Sequence, residues 1–111
     1  MALGKAIPFR ATGSAAIASS LIPTTPIVLD SVRLHLSAVG GLVEDFTVTI
    51  NSVTGAVYDT VLFSQDMVAV QDLFWQPDRP IAIVNSDVID FAFKNALGRT
   101  YGMEVIYRRE L

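Results

Sequence analysis

The chain holds one histidine and no cysteine, so its polar chemistry must come from His35, carboxylates and hydroxyls. His35 sits two residues after Arg33 in an alternating stretch. A catalytic histidine needs a nucleophile or an acid at hydrogen-bond distance, and no spacing in the chain selects one. A solvated or interface strand position is the simpler role. The absence of cysteine excludes a disulfide framework and zinc–thiolate sites. Asp59, Asp66, Asp72, Asp78, Asp87 and Asp90 offer the hard oxygen ligands that calcium prefers. Their spacing matches no calcium loop, and the turn-capping habit of aspartate accounts for most of them. No metal, no other cofactor and no catalytic set is expected.

Trp75, with Phe74 and Tyr58, has the chemistry of a sugar or peptide platform. Aromatic residues on β-surfaces serve more often as core or subunit contacts. Trp75 directly precedes Gln76-Pro77-Asp78-Arg79-Pro80, so it is expected to anchor that rigid bend. Gly40-Gly41 lacks the strand and following lysine of a phosphate cradle and reads as a permissive loop. Lys94, Arg99, Arg108 and Arg109 are diluted by Asp90, Glu104 and Glu110, and the formal net charge is −3. That balance argues against a phosphate-binding surface for nucleic acid or anionic membrane. No apolar run approaches the ~20 residues of a membrane helix.

These residues are positioned by short alternating segments. Val32, Leu34 and Leu36 share one face of the first strong segment, with Ser31, Arg33, His35 and Ser37 on the other. Phe46, Val48 and Ile50 alternate with Thr47, Thr49 and Asn51, and the two segments are expected to pair as a long-looped hairpin. Ser52 to Gly55 reads as a turn, and Ala56 to Ser64 as a strand apolar on both faces. The clearest hairpin is expected at Ile89, Phe91 and Phe93 followed by Tyr101, Met103, Val105 and Tyr107. Its charges, Asp90, Lys94, Glu104 and Arg108, fall on the opposite face and are expected to pair across the strands. A two-residue period throughout predicts an all-β fold, an antiparallel β-sandwich or jelly-roll-like domain.

The first 26 residues differ. Gly4, Pro8, Gly13, Pro23 and Pro26 punctuate them, and the apolar run at Ala15 to Ala18 is too short for a secretory leader. Two readings fit: an arm lying along a neighbouring subunit, or a frayed terminus plus one edge strand. The organisation expected is an extended arm over 1–26 and a β-sandwich domain over 27–111. The apolar content, 51%, is high for so short a chain and suggests a subunit interface. Interface candidates are Ile7, Phe9, Ile17 and Leu21 on the arm, with Tyr58, Phe63 and Trp75 on the sandwich.

Three stretches, Asp30 to Ser37, Gly55 to Asp66 and Thr100 to Tyr107, carry a resemblance, joined by the Trp75–Pro80 turn and Asn85-Ser86-Asp87. In style and order, over residues 28–108, they resemble small tailed-bacteriophage virion proteins. The resemblance implies a non-enzymatic structural β-sandwich located in the virion. It implies a capsid decoration or cement protein, or a small head–tail component. The partners it implies are the major capsid protein or neighbouring virion proteins, with self-association, a trimer being the single expectation. A carbohydrate- or receptor-binding module of a phage tail, with Trp75 at its site, is the alternative.

Overall fold

Wherever apolar side chains recur at every second position, the chain extends and buries that row. The computed structural model describes residues 2–111 and contains nine strands among them. These are β1 (Ile7–Gly13), β2 (Ile17–Leu21), β3 (Ile27–Leu36), β4 (Asp45–Asn51), β5 (Thr60–Asp66), β6 (Asp72–Trp75), β7 (Ile81–Ile83), β8 (Val88–Phe93) and β9 (Tyr101–Arg109). One sheet has the order β1-β9-β3-β6, with β7 also pairing β3; the other has the order β2-β8-β4-β5. All pairings are antiparallel.

β6 and β7 pair with successive halves of β3, Val32–His35 and Ile27–Leu29, so they form one strand interrupted by the two-proline bend. Proline cannot donate to a sheet ladder, and the strand leaves the sheet where Pro77 and Pro80 occur. Counted this way, the chain is a long hairpin rolled up on itself. β1 pairs with β9, β2 with β8, β3 with β6 and β7, and β4 with β5. This nesting is the jelly roll, two four-strand sheets joined by Greek-key crossings.

The expected inward faces hold. Val32, Leu34, Leu36, Phe46, Val48, Ile89, Phe91, Phe93, Tyr101, Met103 and Val105 are all buried. β3 keeps its phase by a bulge between Leu29 and Ser31, which lets Asp30 accept a 2.7 Å hydrogen bond from Arg108 Nε.

Two expected hairpins are not hairpins. β3 and β4 lie in different sheets, and so do β8 and β9. Their buried rows face each other through the core instead of lying side by side. The expected cross-strand charge pairs therefore do not form. Asp90 accepts hydrogen bonds from Ser20 and Asn51, and Glu104 pairs with Arg10 and Arg33. The strand expected from Ala56 begins only at Thr60, after a 3-10 turn at Ala56–Tyr58.

The extended arm over 1–26 is not confirmed. β1 forms an edge of one sheet and β2 an edge of the other, so the segment closes one side of the sandwich. Its apolar residues explain why: Ile17 is 2% exposed, and Phe9 and Leu21 pack on the same core. Phe9 meets Phe91 across the layers with ring centroids 6.0 Å apart. Asn95 ties down the β1–β2 connection, donating from Nδ2 to the Ala15 carbonyl at 3.0 Å. The opposite side is closed by Phe63 of β5 and Trp75 of β6, stacked with centroids 4.9 Å apart and planes 18° from parallel.

Candidate functional site

The outward face of the first sheet carries two registered rows. Thr12, Gly102, His35 and Asp72 form one, because Thr12 and His35 both stand opposite Gly102 and His35 opposite Asp72. Arg10, Glu104, Arg33 and Phe74 form the other. Glycine leaves its place in the first row vacant, and a hollow of about 700 Å³ opens there.

The second row is held by charge. Arg10 Nε donates to Glu104 Oε2 at 2.5 Å, and Arg33 Nη2 to Glu104 Oε1 at 2.8 Å. The two guanidinium groups cover the carboxylate, which is 14% exposed, while they remain largely in solvent themselves. The Arg10 hydrogen bond, helped by the Arg33 charge and opposed by burial, holds the Glu104 carboxyl below its ordinary range. His35 Nδ1 and Asp72 Oδ1 make a second pair, and both side chains are exposed. Phe74 stands beside them with 64% of its surface open.

His35 thus has the acidic partner that no sequence spacing selected. Both side chains stand open to solvent on the outward face of the sheet. Among the described residues, no three His, Asp or Glu side chains converge as metal ligands. Asp87 is buried and accepts from the Val53 N–H at 2.7 Å, tying the β7–β8 loop to the β4–β5 loop. Asp59 accepts from Ser52 N within the β4–β5 loop, also at 2.7 Å, and Asp66 caps its own turn through the Val68 N–H at 3.0 Å. Gly41 has a φ of 86°, and a Cβ on Gly40 would lie 2.3 Å from the Met67 carbonyl, so this pair serves its loop.

The interface candidates separate. Ile17 is buried, and Phe9, Leu21, Phe63 and Trp75 pack against the core, so all five build this fold. Ile7 is half-buried on edge strand β1, opposite Tyr107. Tyr58 alone of the seven is well exposed, at 61%. Beside it Val57 is 89% exposed, at the tip of the β4–β5 hairpin. Trp75 is engaged by Phe63 and does not form an open platform.

Arg10, Arg33, Gly102 and Glu104 were not distinguished as a site by sequence, and Phe74 was singled out only beside Trp75. One signal for them exists: a glycine inside a strongly alternating strand. No protein-family model, characterised protein or solved structure matches the chain.

Proposed function

We propose that this chain is a structural subunit of a bacteriophage particle, a decoration or cement protein that joins neighbours by contact. The observation that carries the reading is where its exposed apolar side chains lie. Connecting loops are normally polar, and apolar patches on them mark partner surfaces. At one end of the sandwich Val39, Leu42, Val43, Val68 and Leu97 are exposed on three loops. Those loops touch: Gly41 N donates to the Val68 carbonyl, and Arg99 Nε to the Val39 carbonyl. At the other end Ile22, Val53, Val57, Tyr58 and Val84 are exposed. Both ends of one jelly roll thus offer apolar surface, the arrangement a repeated subunit needs to bridge two neighbours. The resemblance of residues 28–108 to small virion proteins supports the same reading.

The test is quantitative mass spectrometry of purified particles, with a Leu42→Asp/Val43→Asp chain as comparison. Many copies per particle are expected, with the variant's occupancy reduced about tenfold or more, as for loss of central contacts. Absence of the unaltered chain from particles ends the proposal. A glycan- or receptor-binding module is the second reading, favoured by the hollow over Gly102 with Phe74 at its rim. Glycan-dependent shifts of the Gly102 amide resonance would support it.

A further inference from the structure

The hollow over Gly102 is compensated in charge. Arg10 and Arg33 line it together with Glu104 and Asp72, two guanidinium groups against two carboxylates. Each of the four is already engaged: both arginines bridge Glu104, and Asp72 pairs with His35. An anionic ligand would compete with Glu104 for the arginines, and a cationic one with the arginines and His35 for the carboxylates. Charge complementarity therefore selects no ion of either sign.

What the lining does offer is spare hydrogen-bonding capacity. The two guanidinium groups carry about ten N–H donors between them, and one carboxylate has only about four lone-pair sites to meet them. The Arg10 and Arg33 side chains remain 71% and 64% exposed, so the surplus donors stand in solvent. His35 and Asp72 meet through one nitrogen and one oxygen, and both are also open. Donors and acceptors thus lie side by side across four strands, next to the exposed ring of Phe74. Between them Gly102 keeps the floor low, since a Cβ there would meet nothing within 4 Å.

That mixture discriminates among neutral occupants. A hydrocarbon laid over it would strip water from charged groups and return no hydrogen bonds. Hydroxyls return them, because each one both donates and accepts. A sugar ring adds an apolar C–H face that lies against an aromatic ring. Spacing agrees with this. Neighbouring strands are about 4.8 Å apart, close to the length one ring adds to a glycan chain. A chain laid from β1 to β6 would meet Arg10 and Thr12, then Glu104 and Gly102, then Arg33 and His35, then Phe74 and Asp72.

We propose that the Gly102 hollow binds a neutral oligosaccharide laid across β1, β9, β3 and β6, with one ring on Phe74 and hydroxyls shared among Arg10, Arg33, His35 and Asp72. This rests on the glycan-binding reading, to which it adds the charge class and the pose of the ligand.

A glycan array carrying neutral hexose and N-acetylhexosamine oligomers beside uronate, sialylated and sulfated ones tests it with the full chain. Neutral oligomers are expected to bind. The strongest is then titrated by amide NMR into the unaltered chain, Phe74→Ala and Gly102→Phe, each variant first checked as folded by circular dichroism. Shifts are expected at Arg33, Asp72 and Gly102, and each variant should bind about tenfold or more weakly. Affinity should be the same at low and high salt, because no net charge is matched. Binding by acidic glycans alone, lost in both variants, overturns the neutral class and keeps the glycan-binding reading. Neutral binding that Phe74→Ala retains in full overturns the pose and the proposal with it. An array without any binder overturns the glycan-binding reading itself.

Discussion

Gly102 and Glu104 are neighbours on the outward face of β9 and make opposite demands on stability. Because the space above Gly102 is open, Gly102→Ala should stabilise the monomer by about 0.5–1 kcal/mol. A thermal melt should rise by roughly 4–8 °C per kcal/mol for a domain near this size. A fall in melting temperature would mean the glycine serves the backbone after all. Glu104 is held charged by Arg10 and Arg33, its carboxyl below the ordinary value of 4.5. A carboxyl lowered by folding contributes stability above its unfolded pKa and loses it as pH falls through the folded value. Glu104→Gln is therefore expected to lower the melting temperature at neutral pH. The gap from the unaltered chain should narrow below about pH 4.5 as both melts are acidified. Equal gaps at all pH values would show the arginines contribute by packing alone.

Which face of β3, β4, β8 and β9 turns inward was legible in residue types; the faces of β1, β2 and β5 were not, nor was the sheet each strand joins. Ile89, Phe91 and Phe93 alternate with polar neighbours whether β8 lies beside β9 or across from it. A two-residue turn would have forced them into one sheet, but the connection at 94–100 is long enough to cross the roughly 10 Å between layers. The same ambiguity hid the hollow, since its rows join Thr12 to Gly102 and His35 to Asp72 across distant parts of the chain. Trp75, expected to anchor the Pro77–Pro80 bend, packs against the core and stacks on Phe63, a partner on β5 that had no signal at a distance. Their stack closes the side of the sandwich where neither sheet has a further strand. Trp75→Ala should cost about 3 kcal/mol, the low end for a large aromatic because the ring is only half-buried. A urea midpoint unchanged by the substitution would show that the Phe63 contact does not hold the seam.

At the scale of the whole molecule, the rolled hairpin makes the two ends of the chain structurally inseparable. Ile7 pairs with Tyr107 and Leu21 with Ile89, so the first strands complete the fold from the last ones. Such non-local pairing predicts folding in milliseconds to seconds, slow for so short a chain. It also decides what deletion of residues 1–21 does. An arm could be removed and leave a soluble sandwich with its melting temperature intact. Here the deletion strips the partner from one edge each of β9 and β8, uncovers Phe91 and removes Ile17 from the core. Exposed long edges pair with other chains. The truncated chain is therefore expected to aggregate or to lose its cooperative melt, as followed by light scattering and circular dichroism. A soluble truncation that melts like the full chain would restore the arm. The distinction bears directly on assembly: loss of particle binding on truncation would report unfolding, so the end loops and the Val57–Tyr58 tip are where substitutions separate contact from fold.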